Sequence, residues 1–310
     1  MSPRLLITGA TGFIGGRVAA AARATPGVRL RLMTHRTALG PSLTGPGVET
    51  VRGDLADPAS LRGSCDGVDA VIHCASRLDA DEATLRAVND HGTRALVDEA
   101  VRAGAGRIVQ LSTASVYGRG PFTALLPEAA PLAPVSAASR TRAAAERHVL
   151  EAQGAVLRPH LVYGTGDRWV VPGLVGLLRY LSAAPAGCPA RHSMIDVESL
   201  GRALLGAALA PAAPSGVFHV NHPEPVGCSE LLSTVLGALR PPGVDGEIGT
   251  DEAWARLEAA PRARHHFEML AVDHWFDDDR AEKELDWIPG PAFAESFAAH
   301  ASWYREFLAR

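Results

Sequence analysis

The chain is poor in the residue types that mark several classes of protein. Its 310 residues include only four cysteines, Cys65, Cys74, Cys188 and Cys228, and no two of them form a CxxC pair. This usage argues against a disulfide framework or a zinc site, and it predicts reduced thiols in a cytoplasmic protein. No run of about 18 apolar residues is free of charge or proline, so no membrane span is expected.

The chain also has no large excess of charge of either sign. Thirty basic residues stand against 34 acidic ones, which leaves a net charge of −4. We therefore expect no nucleic-acid partner held by bulk electrostatics. Hydrophobic residues make up 47% and charged residues 21% of the chain, which excludes wholesale disorder. A strand pattern begins at Arg4, so a signal peptide is not expected. These features predict a cytoplasmic monomer or homodimer acting on a small molecule.

The first half of the chain alternates strand and helix patterns. Strands are predicted at 5–7, 28–33, 48–52, 70–72, 108–111 and 155–157, with helices at 13–24, 81–103 and 139–152. This alternation predicts an α/β fold of the Rossmann type, a doubly wound parallel sheet with helices on both faces. We expect a dinucleotide-binding domain over 1–160 with a returning segment near 190–221, and a smaller, predominantly substrate-binding region over 161–310.

The most specific chemical signal is TGATGFIG, residues 8–15. Its glycines follow a predicted strand and open a predicted helix, as in dinucleotide-binding loops. Gly9 would permit the tight turn, Gly12 would let the backbone approach a pyrophosphate, and Gly15 would allow the helix to pack close to the sheet. The phosphates would lie at the helix N-terminus, where free N–H groups favour anions.

The end of the second predicted strand bears on the choice of cofactor. NAD sites usually place an acid there, whereas this chain has Met33-Thr34-His35-Arg36. Arg36 could fork onto a ribose 2′-phosphate, which favours NADPH over NADH, although a solvated surface arginine is the alternative. Asp54, after the third strand, could read an adenine amino group.

Motifs along the whole chain now support a family resemblance. They are TGATGFIG, GDL at 53–55, DAVIHCAS ending at Ser76, VNDHGT from Val88, VQLSTASVYG ending at Gly118, LRPHLVYGTGD from Leu157, MIDVESLGRAL from Met194 and FDDDRAEKELDWIP at 276–289. The chain resembles the extended short-chain dehydrogenases/reductases, in the NAD-dependent epimerase/dehydratase and 3β-hydroxysteroid dehydrogenase-like branch.

The resemblance implies roles for particular residues. Asp54 and Leu55 would frame the adenine, and Pro159 would lie beside the nicotinamide. Around the phosphates and riboses the expected residues are Thr11, Phe13 and Ile14 with the three glycines, and Cys74, Ala75 and Ser76.

The catalytic set of the family is only partly present. It consists of a Ser or Thr, here Thr113 with Ser115 nearby, then a Tyr and a Lys four residues apart on the next helix. SAASRTRAAAE aligns with the family's YSRTKAAAE, so Arg142 stands at the Lys position and Ala138 at the Tyr position. Arg142 keeps the positive charge that would bond the ribose, but a methyl group cannot donate a proton.

The chain has four tyrosines, and Tyr117 and Tyr163 match VYG positions that the family usually fills, so they are poor replacements as the acid. A substrate could itself stabilise the developing alkoxide if it is an aromatic ketone that is hydrogen-bonded to an adjacent phenol. The pattern resembles the tyrosine-less ketoreductases that tailor angucyclinone polyketides of the simocyclinone kind.

Several other residues are candidates for substrate contact. His160 follows Arg158-Pro159 at the expected mouth of the sheet, and Trp169 opens an apolar stretch; core packing is the alternative for Trp169. We expect His265, His266 and His300 at the surface. No His/Asp/Glu cluster has metal-ligand spacing, so no metal is predicted.

The sequence therefore predicts an NADPH-dependent ketoreductase for a bulky, aromatic, polyketide-type substrate in antibiotic biosynthesis. Two alternatives stay open. One is a non-redox lyase, cyclase or epimerase that retains the cofactor, and the other is a non-catalytic NADP-binding protein.

Overall fold

A computed structural model describes residues 2–277 and 279–310, together with all side chains of these residues except that of Arg262. Fifteen strands are described, and their bounds are β1 Arg4–Thr8, β2 Arg29–Thr34, β3 Val48–Arg52, β4 Ala70–His73, β5 Arg107–Leu111, β6 Phe122–Leu125, β7 Ala155–Arg158, β8 Leu161–Tyr163, β9 Ala184–Ala186, β10 Arg191–His192, β11 Met194–Asp196, β12 Gly216–His219, β13 Val226–Gly227, β14 Glu247–Gly249 and β15 His274–Phe276.

The helices alternate with these strands. Their bounds are α1 Phe13–Ala24, α2 Glu82–Leu85, α3 Gly92–Arg102, α4 Ala137–Glu151, α5 Val170–Leu181, α6 Val197–Leu209, α7 Cys228–Leu239, α8 Thr250–Arg256, α9 Pro261–Leu270, α10 Ala281–Glu284 and α11 Phe293–Leu308. A π-helical segment, Arg86–His91, joins α2 to α3.

Seven strands form a parallel sheet in the order β12-β7-β5-β4-β1-β2-β3. The order reverses at β1, which is the doubly wound arrangement in which ligands bind beyond the carboxyl ends of the strands. The predicted fold class is confirmed. One edge strand of this sheet, β12, comes from the stretch 190–221 that we expect to return to the dinucleotide-binding domain. The domain bounds themselves stay a prediction.

The alternation of side chains along β1 shows why helices cover both faces of the sheet. Leu5 and Ile7 pack into a core that contains residues of α1 and α6. Leu6, which points the other way, belongs to a second core with residues of α3 and α4. Strands buried on both faces need near-continuous apolar sequence, as Leu5-Leu6-Ile7 has.

A third core supports the remaining elements. It is built mainly from α5, α7, α9 and α11, and among its buried members are Leu178, Leu232, Phe267, Phe297 and Tyr304. Short strands join these helices to the main sheet, including the parallel pair β8–β11. Within the described residues, we find no helix with both the length and the apolar character needed to cross a membrane.

Candidate active site

The glycine-rich loop between β1 and α1 has the geometry of a phosphate cradle. Gly9 has φ +73°, and a Cβ there would lie 2.8 Å from the Ala75 nitrogen. A Cβ at Gly15 would collide with the Gly9 carbonyl oxygen. At Gly12, by contrast, a Cβ would meet one atom of the described, non-adjacent residues within 4 Å, the Gly9 carbonyl oxygen at 3.2 Å. Gly12 therefore presents an open side, as a site for a close-approaching ligand requires.

The N-terminus of α1 has no side-chain cap among the described residues. Its N-cap residue is Gly12, which has no side chain to accept a hydrogen bond from the first turn. The first N–H groups of a helix have no intrahelical partner and carry a partial positive charge. An anionic pyrophosphate fits this helix end, and the first turn carries no acidic side chain that would repel it.

A cleft of about 950 Å³ opens over this loop. Ten of the residues predicted to bind cofactor or substrate line it: Gly9, Thr11, Gly12, Phe13, Ile14, Gly15, Cys74, Ser76, Arg142 and Trp169. The structure thus brings the phosphate loop, the end of β4 and the middle of α4 to one cavity. Trp169, whose residue surface is 60% exposed, lies on its rim.

The residues predicted at the adenosine end lie outside the lining of the cleft. Arg36 is exposed on the bend after β2, and no described residue pairs with its guanidinium. Asp54 accepts a hydrogen bond from the Ala56 N–H (2.9 Å) and pairs with His35 Nε2 at 3.0 Å. Leu55 is buried, 7% exposed. Ala75, half-buried, donates its N–H to Thr8 Oγ1 and lies beside Gly9 rather than in the lining.

Arg142 is the charged group at the inner end of the cleft. Its Nη2 donates to the Leu111 carbonyl oxygen at 3.2 Å, and its other N–H groups have no partner among the described residues. Burial lowers the pKa of Arg142 to about 10, and the nearby Glu146 partly offsets this shift. The guanidinium therefore stays cationic at neutral pH and has free donors for a ligand.

A buried ion pair fixes the position of α4 and hence of Arg142. Arg158 on β7 bonds Glu146 through both Nε (3.0 Å) and Nη2 (2.5 Å). Ser112 donates its hydroxyl hydrogen to the same carboxylate. Glu146 lies one helical turn beyond Arg142 on α4, so this bidentate pair holds that turn against the sheet.

The two predicted hydroxyl residues pair with each other. Thr113 Oγ1 lies 3.0 Å from Ser115 Oγ and caps the short helical turn Ala114–Tyr117 by accepting from the Ser115 N–H. The Ala114 N–H donates to the Pro159 carbonyl oxygen at 2.8 Å, which brings the predicted nicotinamide-side residue next to this turn. Thr113, Ser115 and Pro159 are not among the residues that line the cleft.

None of the tyrosine hydroxyls reaches the lining of the cleft. Tyr117 is 3% exposed, and its Oη accepts from Arg158 Nη1 at 2.6 Å and lies 2.8 Å from His219 Nε2. Burial raises the pKa of Tyr117. Its hydroxyl is therefore hydrogen-bonded inside the protein and does not point to a ligand in the cleft.

The other tyrosines have different surroundings. Tyr163 packs edge-on against Phe293, and burial raises its pKa. Tyr304 Oη bonds Asp167 and Gly164. Tyr180 is half exposed on α5. Ala138, the residue at the family's tyrosine position, lies in the first turn of α4, four residues before Arg142.

His160 is a half-buried histidine at the end of β7. Its N–H donates to Asn221 Oδ1 at 2.8 Å, and its ring stacks on His274 with centroids 5.5 Å apart. Burial holds the pKa of His160 well below its usual range, so the ring is neutral. Its Nε2 is buried and has no hydrogen-bond partner among the described residues.

Sequence reasoning missed one wall of the cleft. It is lined by Trp303, Glu306 and Phe307 of α11 and by Arg310 just beyond that helix, together with Thr165, Gly166 and Arg168. The expectation that His300 lies at the surface is wrong, because this residue is 7% exposed and contacts the same wall. No sequence signal was available, since these contacts join residues about 135 positions apart.

One group of possible metal ligands occurs in the described part of the chain. Ligand atoms of Asp196, Glu198 and His300 lie within 4.8 Å of one another. Each already has a protein partner: Asp196 caps α6 by accepting from the Ser199 N–H, and Glu198 pairs with His300. We therefore assign no ion to this group.

The fold and the uncapped glycine loop together define a dinucleotide-binding protein of the Rossmann class. Residues 5–220 match the NAD dependent epimerase/dehydratase family. The chain therefore belongs to that family, and it is an enzyme of the oxidoreductase class that works with a nicotinamide cofactor.

Individual relatives extend over nearly the whole chain. A 2-alkyl-3-oxoalkanoate reductase from Stenotrophomonas maltophilia is 29% identical over 94% of this chain and 96% of its own length. A 3β-hydroxysteroid dehydrogenase/Δ5→4-isomerase from Mycobacterium tuberculosis is 29% identical over 92% of this chain and 86% of its own. DesIV, a dTDP-glucose 4,6-dehydratase from Streptomyces venezuelae solved with NAD and TYD bound, superposes with a TM-score of 0.74 at 23% identity, covering 98% of this chain and 97% of that one.

Proposed function

We propose that this enzyme is an NADPH-dependent ketoreductase that reduces a carbonyl of a bulky, aromatic, polyketide-type substrate without a tyrosine acid. The observation that carries the proposal is the contrast between the two ends of the cleft. The phosphate loop is intact and open, whereas position 138 carries alanine and every tyrosine hydroxyl lies outside the lining.

The cofactor would be held by the phosphate loop and by Arg142. The N–H groups at the start of α1 would bind the pyrophosphate, and the free donors of Arg142 would bond ribose hydroxyls. Arg36, which pairs with none of the described residues and stands where NAD sites carry an acid, would receive a 2′-phosphate. Reduced NADP bound in this way supplies a hydride.

The chain can stabilise the oxyanion that forms on a reduced ketone in two ways. Arg142 brings a half-buried cation, whose electrostatic effect would be larger once bound ligands exclude water from the site. Thr113 and Ser115, a hydrogen-bonded pair that begins two residues after Leu111 of the lining, would bring hydroxyl donors. Neither route replaces the proton that a tyrosine would give, because the guanidinium remains charged throughout the reaction and an aliphatic hydroxyl is a far weaker acid than a phenol.

Because no tyrosine is placed to give the proton, we propose a substrate that carries its own hydrogen-bond donor. General acid catalysis contributes typically about 10²–10⁴-fold. An aromatic ketone with an adjacent phenol contains its own donor, which would hydrogen-bond the developing alkoxide. We propose His160 and Trp169 as further contacts to such a substrate, since Trp169 offers an exposed indole at the rim. An angucyclinone of an antibiotic pathway has the required chemistry.

The first test mixes the enzyme with NADPH and a panel of aromatic ketones. Loss of the reduced-nicotinamide absorbance is expected, together with a saturable binding titration. Binding without oxidation would instead favour a non-redox lyase, cyclase or epimerase, or a non-catalytic NADP-binding protein.

The choice of cofactor yields a prediction for Arg36. Arg36→Ala should weaken NADPH binding by about 1.5–3 kcal/mol, the range for a hydrogen bond to a charged group, and should leave NADH binding nearly unchanged. The measurement is the Kd of each cofactor by fluorescence titration. Equal affinities of the unmutated enzyme for NADPH and NADH would contradict this assignment, and Arg52→Ala, a change at an exposed arginine on the next strand, is the control.

The absent tyrosine yields a prediction for several hydroxyl groups. Thr113→Ala should lower kcat about tenfold, the effect of one hydrogen bond near 1.4 kcal/mol. Ala138→Tyr should give no large gain and could crowd a wide substrate. Tyr163→Phe and Tyr117→Phe should keep most of the activity.

The Tyr→Phe variants at positions 117 and 163 should differ in their free energy of unfolding. Tyr117→Phe removes the hydroxyl that accepts from Arg158 Nη1 and contacts His219 Nε2, while Arg158 keeps its pair with Glu146, so the free energy of unfolding should fall by about 1–3 kcal/mol. The measurement is kcat at saturating NADPH for folded variants. A roughly thousandfold loss in either Tyr→Phe variant would show that a relocated tyrosine is the acid.

A further inference from the structure

The turn between β8 and α5, residues 164–169, forms the wall of the cleft that faces the phosphate loop. Thr165, Gly166, Arg168 and Trp169 all line the cleft. The turn approaches the loop so closely that a Cβ on Gly166 would lie 2.9 Å from the Phe13 ring. The position of this turn therefore sets the width of the cavity at the start of α1.

Two residues of α11 hold the turn. The Thr165 N–H donates to His300 Nδ1 at 3.2 Å, and the Thr165 hydroxyl lies 3.1 Å from the same nitrogen. One turn later on α11, Tyr304 Oη accepts from the Gly164 N–H at 2.8 Å and donates to Asp167 Oδ2 at 3.0 Å. Hydrogen bonds to α11 therefore hold both backbone N–H groups and side chains of the turn.

The His300 contact belongs to a closed ring of four residues. His300 Nε2 pairs with Glu198 of α6 at 3.3 Å, and Glu198 pairs with Arg17 Nε of α1 at 3.4 Å. Arg17 Nη2 donates to the Thr165 carbonyl oxygen at 2.9 Å, which closes the ring. The ring ties α11 and α6 to the helix whose N-terminus faces the phosphates.

Asp167 makes the turn rigid from within. Its carboxylate accepts the N–H groups of Trp169 at 2.7 Å, Val170 at 2.9 Å and Val171 at 2.9 Å, and so caps α5. Because the Tyr304 hydroxyl bonds the same buried carboxylate, we expect a displacement of α11 to reach the start of α5 and Arg168. The Arg168 guanidinium is exposed in the cleft and has no partner among the described residues.

We propose that α11 is a positioning element of the cofactor site, which acts through His300 and Tyr304 to hold the turn 164–169 as the wall opposite the phosphate loop. His300 and Tyr304 are positioning residues, because they bond residues of the turn and do not themselves line the cavity. The inference rests on cofactor binding in this cleft but not on the reduction of a ketone.

Three variants of α11 test the proposal. His300→Leu removes the acceptor for the Thr165 N–H, and Tyr304→Phe removes the hydroxyl between Gly164 and Asp167. Each should raise the Kd of NADPH and of NADH by the same factor, on the order of tenfold as for one lost hydrogen bond. His300→Asn, whose Oδ1 can stand in for Nδ1, should restore the Kd to within about threefold of the unmutated value.

Phe293→Leu is the matched control, since this buried residue at the start of α11 packs on Tyr163 and does not touch the turn. It should lower the melting temperature and leave both Kd values unchanged. kcat at saturating cofactor should change little in all four variants. A loss of NADPH affinity alone would contradict the proposal, because it would point to the 2′-phosphate instead.

Amide hydrogen exchange gives a readout that needs no turnover. In the cofactor-free protein, residues 164–169 should exchange faster in His300→Leu and Tyr304→Phe than in Phe293→Leu, and NADPH should slow exchange there in the unmutated protein. Unchanged exchange and unchanged Kd in folded Tyr304→Phe would overturn the proposal. An unmutated enzyme that binds NADPH but oxidises none of it with ketones would contradict the ketoreductase assignment alone.

Discussion

Gly12→Val is expected to abolish cofactor binding while the protein remains folded. The backbone at Gly12 has φ −90°, which any residue adopts, and a Cβ there would meet just the Gly9 carbonyl oxygen, at 3.2 Å. The branched side chain would instead extend into the space that a pyrophosphate must enter to reach the N–H groups of α1. We expect the Kd of NADPH and NADH to rise more than about a hundredfold, a loss above about 2.7 kcal/mol.

Circular dichroism and fluorescence titration check this prediction together. Gly176→Val is the matched control, because Gly176 is an exposed glycine of α5 and a Cβ there would meet no atom within 4 Å. The control should bind both cofactors normally. If folded Gly12→Val also binds NADPH normally, the loop is not the phosphate site.

Arg142→Ala is expected to have the largest effect on turnover. The variant loses the half-buried cation of α4 that lines the cleft, where we expect the oxyanion to form. Removing one oxyanion-stabilising donor in other enzymes costs about 10²–10³-fold in kcat, and we expect a loss of that order. Arg142→Lys should keep at least about a tenth of the activity, because it retains the charge that the family places here.

Stopped-flow measurement of NADPH oxidation at saturating ketone checks this prediction. Arg140→Ala, a change two residues away at an exposed arginine that pairs with Glu82, should leave kcat unchanged. A normal kcat in Arg142→Ala would mean that the guanidinium has no part in the reaction.

The first half of the fold could be predicted because its signals are local. A short apolar run such as Leu5-Leu6-Ile7 followed by a glycine turn and an apolar-periodic helix specifies a strand, a loop and a helix without long-range information. The structure confirms the predicted helix at 13–24 and the predicted strand at 48–52 residue for residue. The phosphate loop was predicted for the same reason.

The wall of the cleft formed by α11 could not be predicted in this way. His300 looks like a surface residue in the sequence, but it is buried and bonds Thr165, 135 positions away. The same holds for Tyr117, whose commitment to Arg158 and His219 requires β7 and β12 to be neighbours in the sheet. Such contacts follow from topology, which a local pattern does not contain.

The reduction of a ketone without a tyrosine acid is tested most directly with a matched pair of substrates. One is an aromatic ketone that carries an adjacent phenol, and the other is its O-methyl ether, which has the same carbonyl but no donor. The rate of NADPH oxidation is measured for both at saturating cofactor. The phenol should be reduced at least about a hundredfold faster, the scale of one general acid. Equal rates for the two ketones would show that the protein supplies the proton, and would contradict the account.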